Sequence, residues 1–150
     1  MNHRAYEARS SHCALWNRKT ERVPSGHRRV LVAHADRDLG ESIVLLLGLK
    51  GFSAQHVANV TALRSTLETW QPQAVFLDTR IGGIENYALA RELRTASHGL
   101  PRLLIAMSSF LPEEPIDLLK EAGYDGLSRR PCPMWQIADL LDGFYKSGWR

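Results

Sequence analysis

A chain of 150 residues, 44% of them hydrophobic, can bury one core and is too short for several, so one ordinary domain is expected. The net charge of +3 is a local excess: residues 1 to 29 hold seven Arg or Lys against Glu7 and Glu21, and the remainder carries 12 basic against 14 acidic residues. Two cysteines, Cys13 and Cys132, exclude a disulfide scaffold, and the apolar run Ile43 to Leu49 is far too short to cross a membrane.

No apolar signal core follows the basic N-terminus, which points to a soluble, cytoplasmic protein in a reducing compartment, with no membrane partner. Residues 1 to 28 read as a basic, flexible extension, bounded by Pro24-Ser25-Gly26. Its alternative role is a nucleic-acid or partner-binding arm, since clustered Lys and Arg attract phosphates. The spacing of His3, His12, Cys13 and His27 matches no metal-ligand pattern.

From Arg29 onward, short apolar runs alternate with amphipathic segments five times, the pattern of an α/β domain with a parallel sheet. Arg29 to Ala33 is an unbroken β-branched and aliphatic run, expected of a strand buried on both faces. Asp36 or Asp38 caps the helix that follows, with Ile43, Leu46, Leu47 and Leu49 as its apolar face. Ser53 to Ala58 is a weaker, more polar second strand at an edge. Val60, Leu63, Leu67 and Trp70 then mark a helix that stops before Pro72.

Gln73 to Asp78 is the third strand, apolar until its final carboxylate. A loop leads to a helix carrying Tyr87, Leu89, Ala90, Leu93 and Arg94, and Pro101 to Ser109 supplies a fourth buried strand ending in Ser108-Ser109. Pro112 to Ala122 is a short helix with acid near its start, where the helix dipole favours negative charge. Tyr124 to Ser128 runs as a fifth strand into Arg129-Arg130-Pro131, and Met134 to Tyr145 closes the domain with Ile137, Leu140, Leu141 and Phe144 on one face. The expected fold is α/β, a doubly wound five-stranded parallel sheet.

In such sheets, chemistry collects beyond the carboxyl ends of the strands. The strands here end in His34-Ala35-Asp36, Asp78, Ser108-Ser109 and Arg130-Pro131. A carboxylate, a hydroxyl and a guanidinium thus converge on one rim.

The segments VLVAHADRDL, AVFLDTRIGGIENYALARELR, LLIAMSS and GYDGLSRRPCP, in this order and spacing, resemble the receiver domain of two-component response regulators. The resemblance spans about Arg29 to Tyr145, within a receiver domain placed at residues 29 to 147, and implies a flavodoxin-like fold with strand order 2-1-3-4-5. It also implies Asp78 as phosphoacceptor, Ser108, Arg130 and His34 lining the phosphate pocket, and position 127 as the switch. In the family, strand one ends in two adjacent acids that help to hold Mg²⁺; here those places are His34 and Ala35. The family's lysine is Arg130, and its aromatic or histidine switch is Leu127.

These departures reshape the chemistry. Phosphoryl transfer needs its negative charge neutralised, normally by Mg²⁺ in an octahedron of oxygens. Asp78, the Arg80 carbonyl and, if strand one shifted by a residue, Asp36 are the ligands left. His34 is a poor one for a hard cation. A carboxylate neighbour favours protonated His34, and Asp78 with Arg130 already sums to zero, so no metal and no other cofactor is expected.

The reading is therefore an atypical stand-alone receiver in phosphorelay signalling, not an enzyme, with weak or no Mg²⁺-dependent phosphorylation and with action by protein contact. A histidine kinase or other two-component protein is the expected partner, and helix four, strand five and helix five form the expected homodimer face. No output domain is expected after the receiver. A nucleic-acid-associated regulator using the basic tail is the alternative. A nucleotide-binding enzyme fits poorly, because HADRDLGE is not a glycine-rich phosphate loop.

Overall fold

The computed structural model describes residues 13–17, 21–23, 28–81, 87–95, 103–108, 115–129 and 134–147. In chain order the elements are β1 (Cys13–Leu15), β2 (Glu21–Val23), β3 (Arg29–Ala33), α1 (Arg37–Leu49), β4 (Ser53–Val57) and α2 (Val60–Trp70). They continue with β5 (Ala74–Asp78), α3 (Tyr87–Arg94), β6 (Leu103–Ser108), α4 (Ile116–Ala122), β7 (Gly126–Arg129), α5 (Met134–Phe144) and β8 (Tyr145–Ser147). The five strands expected from the sequence are β3 to β7.

Those five pair in parallel, β4 beside β3, then β5, β6 and β7, which is the order 2-1-3-4-5. Alternating side chains of each strand enter opposite cores. Val30, Val32, Phe76, Ile105 and Met107 pack with Ile43 and Leu47 of α1 and Ile137, Leu141 and Phe144 of α5. Leu31, Ala33, Leu77, Leu104 and Ala106 pack with Leu63 of α2, Leu89 and Leu93 of α3, and Leu119 of α4. Full burial of each such Leu, Ile or Phe contributes about 1.5–3 kcal/mol, so unbroken apolar runs on both faces are what hold the sheet between two helical layers.

Three expectations need correction. The sheet has six strands, because β1 pairs antiparallel with the outer edge of β7. Residues 13–15 and 21–23 therefore do not belong to a free tail, since β2 in turn pairs in parallel with β8. The physical reason lies in the run Cys13-Ala14-Leu15-Trp16: Cys13 and Leu15 pack against one core and Trp16 against the other, so the segment adds apolar area to both layers. Finally, Leu46 and Leu49 lie on the solvent side of α1, at 40% and 76% exposure. The buried face follows Gly40, Ile43 and Leu47; Ile43 lies at one margin of it, so Leu46 and Leu49, three and six residues on, fall progressively further round toward solvent.

Helix starts follow the expected chemistry. Asp36 caps α1 by accepting the Leu39 N–H at 3.2 Å, and Asn59 caps α2 by accepting the Ala62 N–H at 2.8 Å. Gln71 ends α2 in the left-handed region, at φ 51°.

Candidate functional site

The carboxyl ends of β3, β5 and β6 bring His34, Asp78 and Ser108 to one rim. Asp78 is the last residue of β5, opposite Met107 of β6, and Ser108 is opposite Arg129 at the end of β7. The backbone holds this corner firmly. Thr79 N–H donates to the Met107 carbonyl at 2.9 Å, and Ile81 N–H donates to the Asp78 carbonyl at 3.0 Å. Asp78 Oδ1 accepts the Arg80 N–H at 3.1 Å, so the carboxylate is oriented by the turn that follows it.

Oδ2 of Asp78 faces the imidazole of His34, 3.8 Å from Nε2, with side chains only 13% and 7% exposed. His34 Nδ1 accepts the Asp36 N–H at 3.0 Å. A ring nitrogen that accepts an N–H carries no proton, so this bond selects the neutral tautomer with its proton on Nε2, toward Asp78. The protonated imidazole expected from the sequence would compete with this bond, because it would set two N–H groups against each other. The bond thus favours a neutral donor beside the carboxylate.

His56 completes the support, and sequence reasoning missed it. Its Nε2 donates to the His34 carbonyl at 2.8 Å, while His34 N–H donates to the Val57 carbonyl at 3.0 Å. Both backbone groups of His34 are thereby bound to the β4 side. The ring of His56 fits because position 40 lacks a side chain: a Cβ on Gly40 would lie 2.2 Å from His56 Cδ2. A glycine in the first turn of a helix, where it costs stability, was the available sequence signal.

Ser108 is 4% exposed, and its Oγ has no hydrogen-bond partner among the described residues. A buried hydroxyl without a partner costs free energy, and this one lies on the strand beside Asp78. Arg130, with Pro131 after it, lies outside the described residues. Leu127, the switch position, is 4% exposed and pairs with Ala106 on one side and Ala14 on the other. Tyr124 is fully buried, and so contributes packing and no surface.

The donor set can be tested against Mg²⁺. Asp78 offers one hard oxygen pair, but His34 presents an N–H toward it and not a lone pair. Ala35 has no ligating atom, and the Asp36 carboxylate is engaged at the start of α1. Among the described residues, no three His, Cys, Asp or Glu side chains gather as a metal site. The described side chains at this rim do not make up the ligand set of an oxygen-ligated divalent cation. No helix of the described residues is long and apolar enough to cross a membrane.

No family model and no curated protein matches the chain. Solved structures do. The receiver domain of a DNA-binding response regulator from Colwellia psychrerythraea is 15% identical, with a TM-score of 0.67 over 75% of this chain and 94% of that one. A response regulator receiver domain from Bermanella marisrubri is 20% identical, TM-score 0.67, over 77% and 98%. A chemotaxis response regulator of Vibrio cholerae is 12% identical, TM-score 0.67, over 75% and 94%. At such identities the likeness is one of architecture, and it agrees with the strand order and rim described above: the chain has the receiver fold of response regulators.

Proposed function

We propose that the chain is an atypical receiver module of two-component signalling, with Asp78 at the phosphoacceptor position and His34 in place of the metal-holding acids. The observation that carries this is the approach of His34 Nε2 to within 3.8 Å of Asp78 Oδ2 at the carboxyl ends of β3 and β5, with His34 Nδ1 turned to accept the Asp36 N–H. An Nε2–H and the buried Ser108 hydroxyl can donate to phosphoryl oxygens, whereas Mg²⁺ lacks its ligand set. Such a pocket phosphorylates weakly or not at all with Mg²⁺, because neutral donors offset less developing charge than a divalent cation does.

In this reading the protein is not an enzyme and carries no cofactor. It acts in the cytoplasm by contact with a histidine kinase or another two-component protein. The test is intact-mass analysis after incubation with acetyl phosphate or phosphoramidate, with Mg²⁺ and with a chelator. The expected result is little or no labelling in Mg²⁺, with any slow labelling surviving the chelator and vanishing in Asp78→Asn. Ready Mg²⁺-dependent labelling at Asp78 overturns the atypical reading. A pull-down with wild type and Asp78→Asn then separates a constitutive contact module, whose partners are unchanged, from a phosphorylation switch, whose partners are lost.

A further inference from the structure

The sheet edge beside β7 is filled by the chain's own N-terminal segment. Cys13 lies opposite Ser128, Ala14 opposite Leu127 and Leu15 opposite Gly126. Beyond the strand, Trp16 and Asn17 N–H both donate to the Asp125 carbonyl, at 2.7 and 3.2 Å. Asn17 Nδ2 donates to Asp125 Oδ1 at 2.9 Å, and Lys120 Nζ lies 5.5 Å from the Trp16 ring centroid. Position 126 is shaped for this contact: a Cβ there would lie 2.3 Å from the Ala14 carbonyl oxygen and 3.2 Å from Leu15 Cα.

The cover is also short, with three paired residues, and strands of this length are marginal by themselves. Without it, β7 would be the outer strand, and an open strand edge of that kind templates pairing with another chain. We propose that Cys13–Asn17 is a latch on β7. Docked, it completes the sheet and keeps the chain monomeric. Released, it uncovers an edge that pairs with the same edge of a second copy. The occupant follows from geometry: this edge takes an antiparallel strand, as β1 demonstrates, and two identical edges related by a two-fold axis meet antiparallel. Leu127, at the middle of the register with β1, is covered in either arrangement.

Two variants of the full chain test this. Gly126→Ala places a methyl group against the Ala14 carbonyl. The double variant Ala14→Pro, Leu15→Pro leaves β3 to β7 untouched; successive N–H groups of a strand point to opposite sides, so one of the two prolines must remove a donor facing β7. Hydrogen exchange by peptide mass and sedimentation velocity are the readouts. Wild type is expected to be monomeric, with residues 13–17 exchanging at least ~10-fold more slowly than a free chain. In both variants residues 13–17 exchange at the free-chain rate and peptides over β3 and β5 stay protected; a concentration-dependent dimer appears in the proline variant, whereas Gly126→Ala stays monomeric, because its methyl group would meet a second copy's backbone as it meets that of Ala14. If Gly126→Ala loses protection over β3 and β5, the proline variant decides. Unprotected residues 13–17 in wild type, a wild-type dimer, or a proline variant that releases the segment and stays monomeric each overturn the proposal.

Discussion

Restoring the missing acids should convert this domain into one that senses Mg²⁺. In His34→Asp combined with Ala35→Asp, a carboxylate takes the place of an imidazole whose Nε2 lies 3.8 Å from Asp78 Oδ2. Two like charges at about that separation repel by about 4 kcal/mol at an effective dielectric of about 20. That is a large part of the roughly 5–15 kcal/mol that holds a domain folded, so the variant melts well below wild type in chelator. Mg²⁺ reverses the sign of the interaction. At about 100 times its dissociation constant it returns about 2.7 kcal/mol, and at about 4 °C per kcal/mol for a domain of this size Tm rises by about 10 °C. The assay is thermal unfolding by circular dichroism in low salt, with chelator, millimolar MgCl₂, or NaCl at matched ionic strength. Wild type should be indifferent to Mg²⁺. The reasoning fails if wild type gains as much as the variant, or if the variant gains nothing.

Asp125 is 1% exposed and its carboxylate accepts from Arg94, from Leu104 N–H and from Asn17; Asp125→Ala strands those donors and should cost about 3–5 kcal/mol in urea unfolding, whereas a loss near zero means the cluster contributes no net stability. Ser108→Ala deletes a buried hydroxyl that lacks a partner, so stability should stay within about 1 kcal/mol or rise; a larger loss in the same titration would expose a hydrogen bond that matters. Gly40→Ala should displace the His56 ring and cost about 1–3 kcal/mol, seen as a shift of the His56 and His34 imidazole resonances; unchanged resonances would mean the helix moves instead. Arg64 holds the Glu92 carboxyl below its usual range through a side-chain hydrogen bond, so its contribution is present above the ordinary carboxylate pKa and is lost as pH falls through the lowered value. Both side chains are about half exposed, at 55% and 51%, so Glu92→Gln should leave the pH profile of stability almost unchanged at high salt, and a persistent difference there would show a pair shielded from ions.

The sequence by itself determined the sheet and its rim. Apolar runs of five or six residues, each followed by an amphipathic segment, can bury themselves only as central parallel strands between two helical layers, and this alone carried Asp78 and Ser108 to one edge. The sequence also shows His34 and Ala35 at the end of the first expected strand, where the resemblance implies two acids. Tertiary structure decided what depends on partners distant in the chain. The protonation of His34 is selected by the Asp36 N–H on Nδ1, and its backbone is held by His56 from another strand; neither follows from residue type. Cys13-Ala14-Leu15-Trp16 is an apolar run that reading residues 1 to 28 as a flexible tail passed over, because a run of four has no use until an edge exists to receive it. That edge is β7, more than a hundred residues later, and only the folded sheet shows that Gly126 leaves room for the chain's own N-terminal segment.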